Sequence, residues 1–127
     1  MTQAKRKPAA KSRTGPDPEA IIAARAFLAR ASKSFDVVGA RLYGSRARGD
    51  YKPDSDIDLA VFLRGARENS RELFRVATDM GAIAFDVLDE TTVFVSALPV
   101  WEKEWEHPES HRNPRLLEII RREGVPI

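Results

Sequence analysis

Two aspartates one residue apart, Asp56 and Asp58, open an apolar run that continues to Leu63. In a β-strand, residues i and i+2 point to the same face, roughly 6–7 Å apart at Cα. The two carboxylates then aim at a common point while Ile57 packs on the other side. Such a pair repels itself unless a cation sits between its members. Hard divalent ions such as Mg²⁺ take these oxygen ligands and keep room for water and substrate phosphates. A third acid, Asp86, lies inside a later apolar stretch between Phe85 and Val87. On a neighbouring strand it would complete a site for two Mg²⁺ ions about 3.5–4 Å apart, the arrangement that clamps the attacking and leaving oxygens of a phosphoryl transfer. Asp89 and Glu90 are acidic neighbours, but Asp86 is the one whose surroundings make an unpaired carboxylate costly, so Asp86 is preferred.

Upstream of the acids stands Gly44-Ser45-Arg46-Ala47-Arg48-Gly49. Gly44 lets backbone approach a phosphate closely. Ser45 offers a hydroxyl and an N–H, and Arg48 suits phosphate oxygens. Arg46 reads equally as a phosphate contact or a solvated helix charge. Tyr51 reads as packing beneath the loop. Two familiar motifs are excluded. The Gly44–Gly49 spacing matches a Walker A loop, but Asp50 and Tyr51 stand where Lys and Ser/Thr are needed. Asp54, Asp56 and Asp58 begin like an EF-hand, yet Leu59 and Gly65 occupy its glycine and glutamate positions.

The elements that must position these groups follow from pattern. Asp17-Pro18-Glu19 starts a helix, and Ala20, Ile21, Ala24, Phe27, Leu28 and Ala31 give it one apolar face over about Pro18–Lys33. Val37–Tyr43 and Ile57–Leu63 read as strands. Asn69 with Glu72 forms a capping pair for a helix that Gly81 is expected to end. Ile83–Leu88 reads as a third strand, Val93–Leu98 as a fourth, and Pro114–Arg122 as a last helix stopped by Gly124. Trp101 and Trp105, four apart, are expected to share a helical face in the core. His107 and His111 are expected to be exposed. The sum is an α+β domain, a small mixed sheet with helices packed on it.

Composition fits a cytoplasmic protein of one domain. The 127 residues hold one core, no apolar run approaches the ~20 residues of a membrane span, and the absence of cysteine excludes disulfides and thiolate metal sites. Five of the 21 basic residues lie within the first sixteen positions, unopposed by any acid, so the remaining 16 face all 19 acids. Residues 1–16 therefore read as a basic, disordered tail with at most weak, salt-sensitive contact to nucleic acid, and residues 17–127 as the domain.

The run Leu42-Tyr43-Gly44-Ser45-Arg46-Ala47-Arg48-Gly49, with Ser55-Asp56-Ile57-Asp58-Leu59 at its following distance, resembles the DNA polymerase β-type nucleotidyltransferases, and most closely their minimal nucleotidyltransferase (MNT) branch. Ile119–Val125 resembles that branch's ending. The resemblance implies the nucleotidyltransferase fold, with Asp56 and Asp58 binding both metals and Asp86 binding the catalytic one. It implies that Gly44 and Ser45 hold the β- and γ-phosphates of ATP, and that AMP is transferred with loss of pyrophosphate. It further implies a HEPN-domain toxin as partner and acceptor, with this chain the antitoxin that adenylylates a toxin tyrosine. The alternatives are an antitoxin that acts by binding alone, and an enzyme for a small hydroxylated compound.

Overall fold

The computed structural model describes residues 15–127. The tail expected over 1–16 lies, apart from Gly15 and Pro16, outside the described residues. Helix α1 (Pro18–Ala31) is capped by Asp17, whose carboxylate accepts from the Glu19 N–H at 3.2 Å. It buries Ala20, Ala23, Ala24, Phe27 and Ala31. Then come β1 (Val37–Tyr43), a single-turn helix α2 (Ser45–Arg48) and β2 (Ile57–Leu63). A long helix, α3 (Ser70–Thr91), starts at Asn69, whose side chain accepts from the Glu72 N–H at 2.9 Å. Strand β3 (Val95–Trp101), short helix α4 (Glu102–Glu106), a 3₁₀ turn at Pro108–Ser110, helix α5 (Pro114–Glu123) and a two-residue strand β4 (Val125–Pro126) complete the order.

The four strands form one mixed sheet in the order β3-β2-β1-β4. β1 is antiparallel to β2 and to β4, while β2 and β3, joined through α3, run parallel. Alternation along β2 divides the core. Ile57, Leu59, Val61 and Leu63 pack against α1 and α3, with Phe27, Met80 and Val87. Ala60 and Phe62 face the other way, onto Val100 and onto Leu117 and Ile120 of α5. Each such Leu, Ile or Phe contributes roughly 1.5–3 kcal/mol by leaving water. Both central strands fall where the apolar runs predict, and the fold is the mixed α+β architecture expected.

One expected element is absent. Residues 83–88 are not a strand: α3 continues through Gly81 and ends only at Thr92, which takes a left-handed φ of 64°. The reason is visible in the burial. Val76, Met80, Ala84 and Val87 are buried at helical spacing while Phe85 and Asp86 are exposed, so the run continues a 3.6-residue period and never adopts a two-residue one. The strand expected at Val93–Leu98 is accordingly the third, at Val95–Trp101, and β4 was not anticipated. Two smaller expectations also change. Trp101 ends β3 and packs with the α1/α3 core, whereas Trp105 on α4 packs on the opposite side of the sheet against Phe62, ring centroids 4.7 Å apart. His111 is buried, its Nδ1 accepting from the Asn113 N–H at 2.9 Å, while His107 is exposed as expected. Among the described residues no helix is long and apolar enough to cross a membrane.

Candidate nucleotide site

β1 delivers the chain to Gly44, which turns it into α2 with φ 76°. That conformation is open to glycine and strained for other residues. A second constraint acts at the same position: a Cβ on Gly44 would overlap Oδ2 of Asp58 and come within 3.3 Å of its Cγ. The absence of a side chain at Gly44 is therefore what allows the Asp58 carboxylate to lie against the backbone of the turn. Asp58 is directly opposite Tyr43 across β1–β2. It shares the sheet face of Ala60 and Phe62, and Asp56, two residues earlier, falls on the same side by alternation.

Asp58 titrates above the usual carboxylate range. Burial is the main cause and the Asp56 charge the second, with Arg48 opposing both. This electrostatic signature places Asp56, Asp58 and Arg48 in one neighbourhood. Tyr43 is pushed up to about 12, first by burial and then by Asp58, so its phenol stays protonated through the physiological range. Two crowded carboxylates, one of them destabilised as an anion, are a donor set that a divalent cation would relieve. Arg48 is half exposed, 3.3 Å from Asp50 and 3.5 Å from Glu123. Its guanidinium is available to an anion arriving at the same turn.

Arg46 does something else. Its side chain is only 4 % exposed. It pairs with Asp17 Oδ2 at 2.7 Å, donates to the carbonyls of Pro53 and Ser55 at 3.1 and 2.8 Å, and lies over the Tyr51 ring at 4.4 Å. The backbone N–H of Asp17 in turn donates to the Arg46 carbonyl at 2.9 Å. Arg46 thus ties the start of α1, the helix α2 and the loop before β2 into one unit, and it is not a phosphate contact. The signal available in the sequence was the spacing: residues i and i+2 of a single helical turn point to different sides, so Arg46 and Arg48 cannot share a role.

Asp86 is not at this site. It lies on the exposed surface of α3, a helix that packs on the opposite sheet face from Asp58. Among the described residues no group of three His, Asp or Glu side chains is close enough to hold a metal. The residue that β3 places directly beside Asp58 is Ser96, exposed and on the same face. Among the described residues the expected three-carboxylate, two-metal cluster is therefore not assembled, and Asp56 and Asp58 are the carboxylate pair that remains.

The glycine turn and the strand aspartate that closes on it thus stand together on the sheet β3-β2-β1-β4. The sequence profile of the polymerase β nucleotidyltransferase family matches residues 28–96, more than half of the chain, and the chain belongs to that family. A crystal structure from Sulfolobus solfataricus, of a protein assigned provisionally as a nucleotidyltransferase, is similar at 21% identity and TM-score 0.49 over 90% of both chains. No curated protein matches the sequence.

Proposed function

We propose that this chain binds a nucleoside triphosphate, ATP, at the Gly44 turn and transfers its AMP to a hydroxyl of a partner protein. By the resemblance to the MNT branch, that partner is a HEPN-domain toxin and the acceptor a tyrosine. The observation that supports the reading is the close approach of the Asp58 carboxylate to Gly44, with Asp56 two residues earlier on the same sheet face. In this reading Gly44 and Ser45 take the terminal phosphates, Arg48 neutralises charge beside them, and Asp56 and Asp58 hold a divalent metal. Such a metal would supply charge neutralisation on the phosphates. The acceptor oxygen forms a bond to the α-phosphorus, the bond from that phosphorus to the β-phosphate bridging oxygen breaks, pyrophosphate leaves, and the hydroxyl proton passes to solvent or to a base on the acceptor protein.

One observation favours a second reading, an antitoxin that binds its partner without modifying it. Ser96 stands beside Asp58 where a third carboxylate was expected, and Asp86 is remote. A single experiment separates the two: intact-mass measurement of the HEPN partner after incubation with this chain, ATP and Mg²⁺, with Asp56→Ala/Asp58→Ala as control. A gain of one or more AMP masses, lost in the control, is the expected result. An unmodified partner in a stable complex would establish the binding-only reading instead.

A further inference from the structure

We infer that the outer face of α3 is a self-recognition surface, through which two copies of this chain pair as antiparallel helices. Two of the large apolar side chains most exposed among the described residues, Phe74 and Phe85, sit on this one helix, 73% and 63% exposed. Between them, at spacings of three and four, fall Ala77, Thr78, Gly81 and Ala82, which line the same side of the helix. Their inner counterparts Val76, Met80, Ala84 and Val87 already fill the core. The helix thus carries a second, outward apolar stripe that packing within the chain does not require. Phe85 is held in place edge-on to Phe94, centroids 5.6 Å apart.

The stripe reads the same in both directions: Phe, four small residues, Phe. Reversing one helix against another sets Phe74 against Phe85 of the second copy, Ala77 against Ala82, and Thr78 against Gly81. The small central residues let the two helix axes approach closely, and the flanking rings close both ends. This is the self-complementarity that a two-fold interface demands.

The charges select the same occupant independently. On one flank of the stripe, Arg71 and Arg75 lie toward the N-terminal end of α3, and Asp86 and Asp89 toward the C-terminal end, all exposed. Among the described residues only Glu72, at 3.7 Å from Arg75, pairs with any of the four. A two-fold axis crossing the helices keeps this flank on one side and exchanges its ends. Arg71 then faces Asp89 of the second copy and Arg75 faces Asp86, each pair occurring twice and in the register that the apolar stripe sets. Parallel pairing about a two-fold axis would put the two charged flanks on opposite sides of the contact, where they could not pair. Exposed ion pairs add little affinity, but they fix orientation and partner. Because α3 lies on the far face of the sheet from Asp58, such a dimer leaves both candidate sites open.

Sedimentation velocity on the full chain tests this. The wild-type chain is expected to sediment as a dimer and Ala82→Arg as a folded monomer, with unchanged far-ultraviolet circular dichroism. Arg71→Asp/Arg75→Asp and Asp86→Arg/Asp89→Arg chains should each be weakened in self-association by at least tenfold. Mixed together they should form the one-to-one dimer, since every cross-pair is again opposite in charge. A wild-type chain that stays monomeric at every attainable concentration, a dimer that survives Ala82→Arg, or charge variants whose mixture does not associate would each overturn the inference.

Discussion

At the residue scale, the meeting of Gly44 and Asp58 links two parts of the sequence through one steric fact. Gly44→Ala adds a methyl group that collides with the Asp58 carboxylate and forces a non-glycine residue to φ 76°. A loss of about 2–3 kcal/mol of stability is expected, together with loss of nucleotide binding. The two causes separate in a double-mutant cycle. In an Asp58→Ala background the collision is gone and only the backbone strain remains, so the cost of Gly44→Ala should fall to about 1–2 kcal/mol by denaturant unfolding. Equal costs in both backgrounds would mean that the collision does not matter. Arg46 gives a prediction of opposite character. Arg46→Ala removes a buried guanidinium from Asp17 and from two carbonyls, and a cost of about 3 kcal/mol or more is expected. Arg46→Lys should recover little, because an ammonium cannot span those three acceptors in the plane of one fork. A Lys variant as stable as wild type in thermal melts would reduce Arg46 to a simple charge.

At the element scale, the sequence made the two strands that frame the site legible and placed the one beside it, read as Val93–Leu98, within three residues of Val95–Trp101, but it inserted a strand before it that does not exist. Val37–Tyr43 and Ile57–Leu63 are bounded by turn residues, and Ile57–Leu63 is apolar nearly throughout, as a strand covered on both faces requires. The caps Asp17 and Asn69 were equally readable, since each places a short oxygen-bearing side chain where the first N–H groups of a helix need an acceptor. The run from Ile83 to Leu88 was ambiguous because six mostly apolar residues suit a strand or a buried helical turn, and Gly81 offered a false stop. Extending α3 across that run moves the parallel strand to residues 95–101 and puts Ser96, not Asp86, next to Asp58. The consequence is measurable. Ser96→Asp supplies a third carboxylate on the same sheet face, and Mg²⁺ affinity by calorimetry should tighten on the order of tenfold. Asp86→Ala should leave that affinity unchanged. If Asp86→Ala weakens Mg²⁺ binding instead, the exposed position of Asp86 does not describe the metal-bound protein.

At the scale of the whole molecule, the site is held at a cost to the fold, and pH reveals it. Because Asp58 titrates above its ordinary value through burial and the nearby Asp56 charge, the folded chain binds a proton there more tightly than the unfolded chain does. The associated stability is fully present below the unfolded carboxylate range near pH 4. It is lost as pH rises through the raised folded value, where the carboxylate must ionise against burial and a like charge. Asp58→Asn removes that ionisation while keeping the shape. The variant should therefore be more stable than wild type at pH 7, by under about 1 kcal/mol because the group is half in water. The difference should shrink toward zero as pH falls to 4. Divalent metal should reverse the order at pH 7: Mg²⁺ stabilises a folded state that binds it by mass action, so the melting temperature of wild type should rise toward or past that of Asp58→Asn, whose own melting temperature should barely move. An Asn variant less stable than wild type at pH 7 without metal would mean that the Asp58 carboxylate supports the fold. A wild-type protein indifferent to Mg²⁺ would mean that the repulsion between Asp56 and Asp58 has no cation to relieve it.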